Sequence, residues 1–174
     1  MTKLENERFE RLFRAEHRSL VAFCYRRVDD VELAQDLAAE VFRVAWSRRT
    51  EPRRSERGWL FGIARNLVGS EYRKRAVRGS TGQHGLEDDA SDPRAANESM
   101  HVEVRATIAG LAVEHGDVLR LTYWDGLSAA EIAEVLSVTT PAVWMRLTRA
   151  RAAFAAAWRT DHSTTPTPQL RSQP

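Results

Sequence analysis

From residue 9 onward, apolar side chains recur three and four positions apart: Phe9, Leu12, Phe13, Leu20, Phe23, Cys24 and Val28. That period puts them on one face and predicts a helix over residues 7–28. Asp29 and Asp30 interrupt the pattern and offer a carboxylate cap to the next helix. The spacing predicts that helix over residues 31–47, with Leu33, Ala34, Leu37, Val41, Ala45 and Trp46 turned inward. Residues 48–56 are polar, charged and carry Pro52, so they read as a loop. The period resumes over residues 57–77 through Trp59, Leu60, Ile63, Ala64, Leu67, Val68 and Tyr72. Three amphipathic helices of this kind can enclose a small core.

Residues 79–98 lose the pattern, with Gly79, Gly82, Gly85, Ser91 and Pro93 set among acids. They read as a flexible, solvated spacer. Periodicity returns with Val104, Ile108 and Leu111, and then Val118, Leu119, Leu121, Tyr123 and Trp124, a stretch closed by Asp125-Gly126. Ser128-Ala-Ala-Glu131 matches a capping box opening a short helix over 129–136. Ser137-Val138-Thr139 then reads as a tight turn. Thr140-Pro141 reads as an N-cap followed by Pro at the first helical position, and the last helix runs over 141–158 with Val143, Leu147, Ala150 and Phe154 inward. Residues 160–174 are poor in apolar side chains and read as a disordered tail. The expected fold class is all-α: two small helical domains, 1–78 and 100–159, joined by an acidic linker, 79–99, and followed by the tail.

Charge sharpens this division. Residues 1–78 hold 18 Lys or Arg against 12 Asp or Glu, a net of +6; residues 79–104 hold one against six, a net of −5; residues 105–174 hold seven against six, a net of +1. Such blocks suit units with different partners. Nearly all the basic residues are Arg, whose forked guanidinium fits phosphates and base edges; a GC-rich genome accounts for the Arg and Ala richness equally well. The single cysteine, Cys24, excludes an intrachain disulfide and sits in an apolar pattern, as a core residue would. No apolar run reaches membrane length, and a cytoplasmic protein is expected. The five His are scattered without metal-ligand spacing, and no Gly-rich phosphate loop is present. We expect no cofactor, no metal and no catalysis.

The most specific local pattern is residues 127–151: a capped short helix, a tight turn and an Arg-rich second helix. This is helix-turn-helix grammar, in which the second helix enters the major groove. The small Ala133 lets the two helices cross closely. The stretch resembles the C-terminal DNA-binding domain of the extracytoplasmic-function (ECF) sigma factors of the sigma-70 family. Leu127, Ser128, Glu131, Ile132, Ala133, Leu136, Val138, Val143, Arg146, Leu147, Arg149, Ala150 and Arg151 match its pattern. Residues 33–46 resemble the same family's polymerase-docking segment through Ala34, Asp36, Leu37, Glu40, Phe42, Ala45 and Trp46. Residues 57–75 resemble its −10 segment through Trp59, Leu60, Ile63, Ala64, Arg65, Asn66 and Arg73.

The resemblance implies a factor that binds core RNA polymerase, through its beta and beta-prime subunits, and directs it to promoter DNA. It implies docking on the clamp helices of the largest subunit by Glu32, Asp36, Ala39, Glu40 and Arg43, which the helical period lines up on one face. Ala39 stands where the family usually has Gln. It implies that Arg53, Arg54, Arg65, Asn66 and Arg73 hold the single-stranded −10 element, with Asn66 reading a flipped base. It implies that Thr140, Trp144, Met145, Arg146, Thr148 and Arg149 meet the −35 duplex. An anti-sigma factor is an expected partner, and the acidic linker is expected to thread a basic polymerase channel. Gly62, Asn66, Gly69 and Arg73 share a face; its glycines either admit a DNA strand or face the helical core. Trp59 reads as core more readily than as a base platform. Two departures stand out: Ser137 replaces the turn Gly, and Trp144 and Met145 replace the family's usual polar groups. They either contact thymine methyls or pack elsewhere. A stand-alone helix-turn-helix regulator that ignores polymerase, and an interaction protein whose DNA surface has decayed, remain the rival readings.

Overall fold

In the computed structural model, residues 3–50, 53–77 and 98–162 are described, and among them the chain forms seven helices and no strand. The helices are α1 (Lys3–Val28), α2 (Val31–Ser47), α3 (Glu56–Val77), α4 (Glu98–Ala109), α5 (Val113–Tyr123), α6 (Ala129–Leu136) and α7 (Thr140–His162). Most of the linker and all but the first residues of the tail lie outside the described residues.

For α2 and α6 the boundary falls where the residues predict it. Asp30 Oδ1 accepts from the Leu33 N–H at 3.0 Å and opens α2. Ser128 and Glu131 cap each other's backbone at the start of α6. Several boundaries differ; α7, for one, runs on to His162 instead of ending at 158. Helix α1 begins four residues earlier than the apolar pattern, because Lys3, Leu4, Glu5 and Asn6 need no buried face to continue a helix. The stretch 104–124 is broken into α4 and α5 at residues 110–112, and Ala112 supplies no side-chain cap. The cap of α7 is Thr139, not Thr140: Thr139 O accepts from Val143 N at 3.1 Å and its Oγ1 from Ala142 N at 3.4 Å, so Pro141 is the second helical residue.

Helices α1, α2 and α3 pack on one another around Leu20, Phe23, Cys24, Val41, Leu60 and Phe61, all fully buried. Phe23 and Phe61 meet edge to face at 5.2 Å. Burial pushes the Cys24 thiol up to about 12, so it acts as a core residue. Tyr72, expected inside, is partly exposed instead, and its hydroxyl donates to the Arg27 carbonyl. Helices α4–α7 form a second core with Val118, Leu121, Ile132, Val143, Leu147 and Ala150. Phe154 is only half-buried there.

The far end of α7 reaches back to α4. His162 donates through Nδ1 to the Trp158 carbonyl at 2.8 Å and through Nε2 to Glu103 at 3.0 Å. Two acceptors need two ring protons, so both bonds together require the imidazolium, and Glu103 first, then the carbonyl, raises the ring's pKa. A raised pKa means that the clasp contributes fully below the ordinary His value and fades as pH rises through the raised one. Amide exchange in the last turn of α7 is expected to speed up across that rise, and His162→Ala should abolish the dependence.

Candidate nucleic-acid interface

The helix-turn-helix is built by α6, the turn 137–139 and α7. Ser137 closes α6 in the left-handed region, φ 53° and ψ 45°, with its N–H shared between Ala133 and Glu134 carbonyls. That conformation suits Gly, so Ser137 strains the turn without altering its course. Val143, Leu147 and Ala150 anchor α7 to the core. The opposite face exposes Pro141, Trp144, Met145, Thr148, Arg149 and Ala152. Trp144 and Met145 are 55% and 58% exposed, so neither packs into the chain's own core. Arg146 is half-buried.

The candidate −10 residues separate into two groups. Asn66, Arg73 and Arg54 are exposed. Arg53 is largely enclosed: it lies over the Trp59 ring at 4.2 Å, donates from Nη2 to the Arg49 carbonyl at 2.8 Å, and braces the loop. Trp59 is half-buried under it. Arg65 is exposed but engaged, its Nη2 3.2 Å from Asp117 Oδ2 in α5. On α2, Glu32, Asp36, Ala39 and Arg43 are exposed, and Arg43 makes a bidentate pair with Glu40. That pair holds the Glu40 carboxyl below its ordinary value and Arg43 above its own. The charged stripe is present as the period requires.

The two helical units touch each other through these same elements. Helix α3 lies against α6. A Cβ on Gly58 would come 2.9 Å from both the Glu131 Cα and its carbonyl oxygen, while one on Gly62 would stand 3.7 Å from Val135 Cα. Gly58 and Gly62 therefore face α6, whereas Gly69 has only the Arg73 guanidinium of its own helix beside it, at 3.5 Å. Arg57 bridges the units, donating to Glu16 at 3.0 Å, the Gly126 carbonyl at 3.0 Å and the Asp125 carbonyl at 3.1 Å. The Asp125 carboxylate, 0% exposed, accepts from Arg26 and from Arg27, the latter at 3.0 Å. Arg27 also lies 3.5 Å from the Phe23 ring centroid; burial lowers its pKa and Asp125 opposes that. Arg54 and Thr140 line one cleft of about 600 Å³ between the units, with Arg53, Ala133, Glu134 and Ser137. Sequence reasoning missed Arg26, Arg27, Arg57, Asp117 and Asp125; Asp125-Gly126 signalled only a helix end, and Gly126 does take φ +61°.

Residues 12–78, which take in most of α1 and all of α2 and α3, match the family described as Sigma-70 region 2, and residues 101–154 match Sigma-70, region 4. The ECF RNA polymerase sigma factor SigL of Mycobacterium tuberculosis is 32% identical over 132 residues, 72% of this chain and 74% of the relative. The chain belongs to the ECF sigma factors. SigC, a second ECF sigma factor of Mycobacterium tuberculosis, is 34% identical over 74% of this chain and 72% of its own. The solved structure of CnrH in complex with the cytosolic domain of CnrY superposes with a TM-score of 0.62 at 26% identity, covering 90% of each chain. The sigma factor RpoE of Bartonella quintana, solved with the anti-sigma factor NepR, shares the fold at TM-score 0.60 and 21% identity, over 89% of this chain and 99% of its own. As an ECF sigma factor the chain binds core RNA polymerase and directs transcription initiation at promoters. Sigma factors are not an enzyme class. Among the described residues no helix is long and apolar enough to cross a membrane.

Proposed function

We propose that this sigma factor divides its work among three surfaces on two domains, residues 1–78 and 100–159. Glu32, Asp36, Ala39, Glu40 and Arg43 of α2 hold the polymerase. Arg54, Asn66 and Arg73, with Arg65 once freed from Asp117, track the opened −10 strand, and Arg53 positions their loop. Unpaired bases need a basic track and an amide or ring to meet them, and Asn66 offers both donor and acceptor to a base edge. Thr140, Trp144, Met145, Thr148 and Arg149 meet the −35 duplex, with Arg146 beside them. The single observation carrying this reading is the exposed face of α7, set opposite Val143, Leu147 and Ala150 directly after a capped turn. It works in the cytoplasm beside the polymerase, catalyses no reaction of its own and uses no cofactor. An anti-sigma factor that binds the paired domains is the partner we assign to its resting state, since the similar CnrH and RpoE chains were solved with CnrY and with the anti-sigma factor NepR.

Geometry adds a requirement. The two elements lie about 25 base pairs apart by their own numbering, about 85 Å at 3.4 Å per base pair. Arg54 and Thr140 line one cleft, so the domains must part before both elements are held. Run-off transcription with purified core polymerase tests the function, and no transcript above core alone would sink it. Arg149→Ala is expected to weaken −35 duplex binding by about 5- to 150-fold, the range for a good base contact. Asn66→Ala should leave duplex binding intact and slow opening instead. Equal effects of both variants on both steps would contradict the division.

A further inference from the structure

The recognition face of α7 is apolar where it should be most discriminating. The N-terminal turns of such a helix reach deepest toward base edges, and here they present Pro141, Trp144 and Met145. Thr148 follows, but its hydroxyl donates to the Trp144 carbonyl at 2.9 Å, so its proton is already committed within the helix. Beside the half-buried Thr140 and Arg146 at its edges, the donors left exposed on this face are the single indole N–H of Trp144 and the Arg149 guanidinium one turn further on. The helices packed against α7, α4 to α6, meet it elsewhere, and Trp144 and Met145 remain more than half exposed. Two large apolar groups held in water on a groove-reading surface need an apolar complement. In the major groove only thymine supplies one, its C5-methyl group; guanine, cytosine and adenine edges are all polar there. A G·C pair under Trp144 and Met145 would leave its acceptors and donor buried without partners, which disfavours it.

We propose that Trp144 and Met145 are specificity residues that read thymine methyl groups on adjoining base pairs of the −35 element, with Arg149 supplying the polar contact beyond them. This rests on α7 being the −35 helix. It adds a base class to that assignment: A·T pairs under the first two turns, recognised by shape and methyl contact rather than by a donor–acceptor code.

The test uses the full chain bound to core polymerase and duplexes selected by that holoenzyme from a pool randomised across the −35 segment. The selected element should contain A·T pairs at one or two fixed positions. Replacing the thymine there by deoxyuridine removes one methyl and nothing else, and is expected to weaken binding about fourfold per methyl. Trp144→Ala or Met145→Ala should weaken binding to the thymine duplex and become indifferent to the uracil replacement, a coupling that a merely structural change would not give. Selected elements lacking A·T pairs at fixed positions would overturn the proposal. So would full binding of every uracil duplex while Arg149→Ala still weakens it, which leaves α7 as the −35 helix with another code. If neither uracil nor Arg149→Ala affects duplex binding, the assignment of α7 fails and the proposal with it. If Trp144→Ala lowers association with core polymerase while uracil changes nothing, the face meets protein, and the proposal is again overturned.

Discussion

Asp125→Ala is expected to part the two helical domains while leaving each of them folded. The carboxylate is wholly buried between Arg26 and Arg27, themselves 22% and 16% exposed at the side chain. Removing one member of a buried, hydrogen-bonded ion pair costs about 3–5 kcal/mol, because the charge left behind has neither water nor partner. The arginines belong to α1 and Asp125 to the turn between α5 and α6, so the cheapest relief is separation, which returns both guanidiniums to water. Docking should weaken by about two to nearly four orders of magnitude. Small-angle scattering should show a larger radius of gyration, and urea denaturation should resolve two transitions where the wild type shows one. Asp125→Asn keeps an acceptor oxygen and loses the charge, so it should behave more like Ala than like Asp. An unchanged scattering curve together with a single unshifted transition would refute this account.

Gly58→Ala is expected to reach a similar outcome by a different route. The new methyl would meet the Glu131 backbone at 2.9 Å and Glu134 Cβ at 3.0 Å. Backbone cannot swing aside as a side-chain tip can, so α3 and α6 must separate, at a cost of about 1–3 kcal/mol typical of overpacking. Within the separated first domain the same change favours the helix by up to about 1 kcal/mol. The signature is therefore opposite in two readouts: weaker docking in scattering, and a first domain that melts higher. Gly62→Ala is the control, since its methyl would sit 3.7 Å from Val135 Cα in ordinary contact and should leave docking intact. A Gly58→Ala chain as closed as the wild type would show that α6 can slide, and the close approach would lose its importance.

How much of this could be read beforehand depends on what makes each feature. Helices α2 and α6 were legible to the residue because Asp30, Ser128 and Glu131 cap them by short-range bonds that leave a local signature. The break before α5 was not, since α4 ends at Ala109 and Ala112 opens α5 with no side chain capping it. Thr139 and Thr140 are both competent caps, and only the backbone geometry chooses between them. The exposed faces of α2 and α7 followed from periodicity alone, because a residue opposite a core position is exposed unless a further element covers it. The contact between domains was invisible for the complementary reason. Arg26 and Arg27 meet Asp125 across 99 and 98 positions, and Arg57 reaches carbonyl oxygens that every residue possesses. Nothing local distinguishes those arginines from the many that face water. Arg53 shows the same limit within one domain, being a loop cation by sequence and a largely enclosed brace over Trp59 in the fold.

The clasp between His162 and Glu103 settles where the chain's outlying stretches begin. Glu103 lies five residues into α4, about 7.5 Å along its axis from Glu98. The C-terminal end of α7 therefore lies beside the first turns of α4, at the far end of α7 from Pro141, Trp144 and Met145. A fluorophore or affinity handle attached at the end of α7 would sit next to the start of α4 rather than over the base-contacting face, and energy transfer from it to a label on the first domain would report the spacing of the two domains directly.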